Sequence, residues 1–372
     1  METAYAPGRV EVLGNHTDYN QGVVLAAAID RGITMTGRTR ADDVVALTSR
    51  GRIEVRLAEL QRQTEARWAN YPLGVVQQFL RAGYAVGGFE AWIESNLPAG
   101  AGLSSSAAFE VATAGLLMKL HGWRIDPLEL ARLCRRAENE FVGVRSGLLD
   151  QATSVFGRAD HLVYLDCEVE EIRTIPFPPG YVLVIADSGV KHNLLQSNYN
   201  TRRDETAAAA EALGAGSLRA VTPARLEAAR DSLDPILYRR AAHIVEENDR
   251  VWRAVEALQE KDVVALGALL NASHESSRVN FENSTPELDL LVSIAQTLPG
   301  VLGARLTGGG FGGGTVSLVE AAHAAQVVEQ LRDDYARQSG GQTATVFTCR
   351  LADGAAVGIS APGASARLRP RG

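Results

Sequence analysis

Four short segments concentrate the residue types that bind and transfer groups. In the first, Arg9-Val10-Glu11-Val12-Leu13 is an apolar-alternating strand that carries an arginine. The loop behind it, Asn15-His16-Thr17-Asp18-Tyr19-Asn20, packs a histidine, hydroxyls, an aspartate and two amides into six residues. Such a density of donors and acceptors at a strand exit is what a hydroxyl-rich ligand, such as a sugar, requires. The second segment, Leu97 to Ala108, contains Gly100-Ala101-Gly102-Leu103-Ser104-Ser105-Ser106. Its glycines let backbone approach a ligand, and its serines open a helical pattern whose first amides and dipole favour an anion. It has neither the lysine of the Walker loop nor the third glycine of the dinucleotide fingerprint. In the third, Leu306 to Thr315, six glycines fall within the seven residues 308–314. Apolar flanks and the interrupting Phe311 point to a tight loop beside a ligand rather than a linker. The fourth holds Glu138 and Asp150. Asp150, in apolar company near Gly147 at a helix start, suits a base for a hydroxyl proton. Glu138 suits a Mg²⁺ shell. Each carboxylate taken singly reads more often as a helix cap or solvated face, so the argument rests on their company.

Further along, Tyr199 lies in Asn198-Tyr199-Asn200-Thr201-Arg202-Arg203. Residue type alone leaves it between a sugar contact and a core position, and the two arginines read as carboxylate partners. His121, His161, His243, His274 and His323 show no metal-ligand spacing and read as structural or exposed. No Gly-x-Ser-x-Gly elbow is present.

The elements that must position these segments follow from periodicity. Strands are expected over 3–13, 21–37 and 91–95, a hairpin over 44–57, and helices over 68–83, 105–120, 127–141 and 148–156. Strands 161–166 and 181–187 flank Pro178-Pro179-Gly180, the best boundary, which divides the chain into 1–178 and 179–372. Helices follow over 206–213, 223–231 and 236–272, and strands return at 302–306, 315–319 and 345–350. The tail after Ala361 is expected to fray. Without a regular βαβ rhythm, the fold class is α+β.

Composition bounds the rest. The 372 residues suffice for two domains, and the net charge of −7 argues against a nucleic-acid surface. No apolar run approaches a membrane span and no secretory signal is visible. Cys134, Cys167 and Cys349, odd in number and far apart, suit a reducing cytoplasm.

In this order, the segments resemble the galactokinase branch of the GHMP small-molecule kinase superfamily. Trp68-Ala69-Asn70-Tyr71, Leu148-Leu149-Asp150-Gln151, Tyr199 to Arg203, His274-Glu275-Ser276 and Pro286-Glu287-Leu288-Asp289 are also similar to family segments. The resemblance covers most of residues 5–350. It implies two α+β lobes with nucleotide and sugar in the cleft between them. It implies Asp150 as catalytic carboxylate with Arg9 beside it, and Ser106 and Glu138 as Mg²⁺ ligands. Gly100, Ala101, Gly102, Leu103, Ser104, Ser105 and Ser106 would surround the ATP phosphates. Asn15, His16, Thr17, Asp18, Gly147 and Tyr199 would contact the sugar. The implied reaction is phosphorylation of the anomeric hydroxyl of D-galactose, with L-arabinose, N-acetylgalactosamine or a silent sugar and ATP sensor as alternatives. Partners are the small-molecule sugar and ATP, with no nucleic acid or membrane, and a monomer is favoured. The sequence departs from the family at Asn15, where glutamate is usual.

Overall fold

The computed structural model of the chain describes residues 1–98, 100–190 and 195–355. Its strands are β1 (Glu2–Leu13), β2 (Val23–Thr39), β3 (Val44–Thr48), β4 (Arg52–Arg56), β5 (Phe89–Ser95), β6 (His161–Asp166), β7 (Glu171–Pro176), β8 (Tyr181–Asp187), β9 (Val301–Thr307), β10 (Gly314–Glu320) and β11 (Thr345–Cys349). Its helices are α1 (Asn70–Arg81), α2 (Ser105–His121), α3 (Pro127–Arg136), α4 (Leu149–Phe156), α5 (Leu195–Ala212), α6 (Pro223–Ala228), α7 (Pro235–Glu260), α8 (Val263–Ser276), α9 (Pro286–Thr297) and α10 (Ala324–Gln338). The architecture is α+β, as the element pattern requires.

The first sheet runs β4-β3-β5-β2-β6-β7, with β1 also paired to β2, and the second runs β11-β8-β10-β9. All pairings are antiparallel except β3 with β5. From Ala6 to Leu13, β1 is buried at every residue, and so is β2 from Val23 to Ile29. Strands covered on both faces read as continuous apolar runs rather than alternating ones. The cover is α2, α4, α7 and α8 together with β9 and β10, all of which pack on β1. That strand therefore lies at the junction of the two sheets, and the loop that follows it is delivered there.

Four helices start with a Thr-Pro or Asp-Pro pair. Asp126, Thr222, Asp234 and Thr285 each accept from first-turn amides, ahead of a proline whose missing N–H costs nothing there. Several expectations need correction. Residues 236–272 are two helices, because Lys261 takes a left-handed φ of 62° and Asp262 caps α8 by accepting from Ala265 N at 2.9 Å. The helix from Pro127 ends as α-helix at Arg136 and continues as a π-helical turn to Val142. Helix α6 stops at Ala228 rather than 231. Periodicity does not foresee β7 or α10. The tail after Ala361 lies outside the described residues.

Candidate active site

Strand β1 changes register at Gly8, between Pro7 and Arg9. A Cβ on Gly8 would stand 2.6 Å from Leu97 Cδ2 and 2.8 Å from Leu103 O, so only glycine lets the strand pass this close to the 97–103 loop. Arg9 N then donates to Leu103 O at 3.1 Å. Its guanidinium turns the same way: Nη1 donates to Gly102 O at 2.5 Å and Nε to Asp150 Oδ1 at 2.7 Å. Asp150 lies in the first turn of α4, where the helix dipole favours a carboxylate. Its second oxygen accepts from Ser104 Oγ. The pair is largely desolvated, with Arg9 6% and Asp150 21% exposed at the side chain.

Ser104 sits at the N-cap of α2 in a left-handed conformation, and no side chain caps that helix. A serine at a helix start commonly supplies that cap. Ser104 instead spends its hydroxyl on Asp150, so the first-turn amides keep their capacity for an anion. The glycine run 308–314 packs directly on this loop. A Cβ on Gly308 would meet Gly102 O at 3.0 Å, one on Gly313 would meet Gly100 O at 3.2 Å, and one on Gly314 would meet Ala101 O at 2.9 Å. The two glycine segments thus form one backbone-walled cavity of about 240 Å³. Arg9, Gly100 to Ser106, Gly308 and Gly309 line it, with Tyr71 and Pro98. Sequence reasoning placed Tyr71 in the helix 68–83 and in a segment similar to the family, without a role at the site. A larger groove of about 630 Å³ between α7 and α8 shares no residue with this cavity.

Behind the cavity, Glu138 is buried and accepts from Ser146 Oγ at 2.5 Å and from Gln151 Nε2 at 3.0 Å. The Ser106 hydroxyl also bonds to it. Burial and the neighbouring Asp150 push its carboxyl up, and these three hydrogen bonds pull it back.

The loop after β1 divides into two sets. Asn15 and Thr17 are fully buried, and protein groups occupy their side chains. His16 is nearly so, bonded to Tyr19 Oη at 2.7 Å and to Gly309 O at 2.9 Å. Asp18 is only half-buried. A Cβ on Gly147 would fall 2.1 Å from Asp18 Oδ2, so glycine there makes room for the carboxylate. Tyr199 packs its ring on Gly309 and against His16 and Tyr19. Of the six residues expected at the sugar, Asp18, Gly147 and Tyr199 are half-buried or adjoin such groups, whereas Asn15, His16 and Thr17 lie beneath them.

Burial, then Asp150 and Glu11, push the Asp18 carboxyl up to about 7 from 3.8. The folded chain therefore holds this proton more tightly than the unfolded chain. The resulting stability is present in full below about pH 4 and lost as pH rises to about 7. Asp18→Asn is expected to raise the melting temperature clearly at pH 8 and little at pH 4. Equal stabilisation at both pH values in thermal melts would contradict this assignment.

A phosphate-type cradle, a carboxylate–guanidinium pair and two α+β sheets meeting at β1 define the class: a small-molecule kinase of GHMP type. The GHMP kinases N terminal domain matches residues 70–158, the GHMP kinases C terminal domain residues 254–337, and the galactokinase galactose-binding signature residues 2–39. The chain belongs to the galactokinase family of ATP-dependent sugar kinases. It is 42% identical to a galactokinase of Roseiflexus sp. over 359 residues, 94% of this chain and 91% of that one. It is 42% identical to human galactokinase over 363 residues, covering 95% and 91%. The structure of Lactococcus lactis galactokinase complexed with galactose superposes with a TM-score of 0.91 at 34% identity, covering 95% of this chain and 94% of that one. A mevalonate kinase shares the fold at a TM-score of 0.64 and 18% identity.

Proposed function

We propose that the chain transfers the γ-phosphoryl group of ATP to the anomeric hydroxyl of D-galactose, giving galactose 1-phosphate and ADP. The observation that carries the reading is the Arg9–Asp150 pair at 2.7 Å, desolvated and set against the glycine-walled cavity. In this reading residues 1–178 and 179–372 form the two lobes, and the change of sheet between Pro176 and Tyr181 supports that division. The glycine backbone and the uncapped start of α2 bind the triphosphate. Asp18, Gly147 and Tyr199 face the sugar, and Asn15, His16 and Thr17 shape the loop from below.

Asp150 takes the proton of the anomeric hydroxyl as its oxygen bonds to the γ-phosphorus and the bond to the leaving ADP breaks. Arg9 and Ser104 fix both carboxylate oxygens in position for that transfer. Arg9 also spreads the developing charge, since catalysis of this reaction is mainly positioning and electrostatics. Ser106 and Glu138 would hold Mg²⁺. Their hydrogen-bonded all-oxygen donor set suits a hard cation that takes few protein ligands and completes its shell with phosphate and water. Bound there, the ion would neutralise charge on the phosphates. The three cysteines are free, which fits a reducing cytoplasm. Among the described residues no helix is long and apolar enough to cross a membrane.

An ADP-release assay over galactose, glucose, N-acetylgalactosamine and L-arabinose tests the reading. Galactose is expected to give the highest kcat/KM. A higher value for another sugar replaces the substrate and keeps the chemistry. Sugar and ATP binding without ADP release removes the catalytic assignment.

A further inference from the structure

We propose that Glu11 is a positioning residue for sugar recognition: with Asn15 and Arg305 it forms a buried link that sets the loop after β1 against the glycine loop after β9. The inference rests on the galactokinase reading for its kinetic part, and the melting part of its test stands without that reading.

The link has three members, two from the first fifteen residues and one from β9, and all are buried. Glu11 is 4% exposed, and Asn15 and Arg305 are 0% exposed. Asn15 Nδ2 donates to Glu11 Oε1 at 2.9 Å and to Gly308 O at 2.8 Å. Its Oδ1 accepts from Asn283 Nδ2 at 2.8 Å and lies 3.4 Å from Ser277 Oγ. Both hydrogens of the amide are used, so no donor remains for a sugar. Asn15 thus acts through what it holds. It ties its own loop to the first glycine of the 308–314 run and to the turn that follows α8.

Glu11, together with the Gly308 carbonyl and Asn283, sets which way that amide faces. A carboxylate only accepts, so it selects the Nδ2 end of Asn15 and turns Oδ1 towards Asn283. Its own backbone is fixed to the same glycine loop. Glu11 N donates to Thr307 Oγ1 at 3.0 Å, and Thr307 Oγ1 donates to Glu11 O at 3.0 Å. The charge of Glu11 is met by Arg305 on β9, whose Nη2 stands 3.0 Å from Oε1. Arg305 Nη1 donates to Val12 O at 3.0 Å, while its Nε and Nη2 are buried without a hydrogen-bond partner, Nη2 meeting Glu11 as an ion pair only. The guanidinium therefore keeps a donor in reserve for a carboxylate moved within this pocket.

Two consequences separate this link from simple packing. A glutamate at position 15 beside Glu11 would set two buried carboxylates at hydrogen-bond distance, replacing the donor that now joins them. With glutamine at position 11, the amide donor returns and the single carboxylate is relocated. The two positions must then be read as a pair, and the effect of either change depends on the other. His16 and Asp18 follow Asn15 within three residues, and His16 already leans on Gly309 O. A rotated Asn15 therefore shifts the sugar side of the cleft before it shifts the phosphate side.

The test compares wild type, Glu11→Gln, Asn15→Glu, Asn15→Asp and the Glu11→Gln/Asn15→Glu double variant. Each is measured by thermal melting and by steady-state kinetics with galactose and ATP varied separately. Asn15→Glu is expected to lower the melting temperature and raise the galactose KM about tenfold or more. Asn15→Asp gives the same direction if the glutamate variant fails to fold. Glu11→Gln alone is expected to raise the galactose KM with the ATP KM within about threefold of wild type. The double variant recovers most of both losses. Additive losses in the double variant would overturn the proposal. Coupled melting temperatures with an unchanged galactose KM would also overturn it, since the link would then be structural only. If wild type turns over none of the sugars, the galactokinase reading fails, and the melting coupling alone then decides whether the pair exists.

Discussion

Asp150→Asn is expected to lower kcat on galactose by about 10³-fold, with the affinity for ATP within about threefold of wild type. The isosteric amide keeps the shape of the side chain at the start of α4. It cannot take the hydroxyl proton, and it presents an N–H₂ group to one of the two donors, Arg9 Nε and Ser104 Oγ, that now fix the carboxylate. The loss should appear in kcat rather than in nucleotide binding, because the phosphate cradle is backbone from Gly100 to Ser106 and Gly308 to Gly309. Arg9→Ala should resemble it in kcat, but it also removes the bond to Gly102 O and so loosens the cradle. The ATP KM is then expected to rise for Arg9→Ala and not for Asp150→Asn. Near-native turnover of Asp150→Asn on its best sugar would remove the proton-transfer role and leave positioning as the whole of catalysis. Single-turnover phosphoryl transfer, measured with both substrates saturating, makes that distinction directly.

The sequence carries this chemistry legibly where function constrains residue type at a fixed spacing. Glycine runs, a serine-opened helix and a strand carrying arginine can be recognised because few other residues satisfy the backbone approach and charge they require. Their meeting was not legible. Gly102 and Gly308 stand in backbone contact across some two hundred residues of chain, and no local pattern encodes that. The helix break at Lys261 is not legible in the sequence because a lysine in a left-handed conformation carries no signal that glycine or asparagine would give. Strand β7 escaped because its residues are half-buried and its charges pair within the strand, as Arg173 does with Glu171. One further signal lies in the sequence: Arg305 stands in Val301–Thr307 among apolar neighbours, and a charge inside a buried strand needs a partner. That partner, Glu11, leads to the link behind the sugar loop. Asn15 reads from sequence as a sugar contact, yet its side chain is taken up by protein because the groups that saturate it come from elsewhere in the chain.

The support of that same loop from α7 predicts the largest loss of stability. Glu247 is fully buried, and its Oε1 accepts from Gly14 N at 2.9 Å, Asn15 N at 3.2 Å and Ser273 Oγ at 2.7 Å. Its Oε2 pairs with Arg250 Nε at 2.6 Å. One turn earlier on the helix, His243 holds the carbonyl of Asn15 through Nε2 at 3.1 Å. Burial lowers the His243 pKa to about 3, so the ring is neutral. Neutral imidazole has one N–H, and it must sit on Nε2 to donate to a carbonyl, which leaves Nδ1 to accept from Ser276 Oγ at 3.0 Å. Burial alone would push the Glu247 carboxyl up, but Arg250, Arg305 and the Ser273 hydrogen bond outweigh it and hold the group well below the usual range. Its stabilising contribution is therefore present above about pH 4.5 and lost as pH falls below that value. Glu247→Ala strands two backbone amides and the nearly buried Arg250, and is expected to cost about 3–5 kcal/mol. Glu247→Gln keeps an acceptor for the amides and loses the ion pair, so it should cost less and flatten the acid limb of the stability profile. Urea unfolding at pH 7 and pH 4 reads both effects. If Glu247→Ala unfolds at the wild-type midpoint at pH 7, the loop is not held from α7, and the cleft would have to be ordered by its ligands instead.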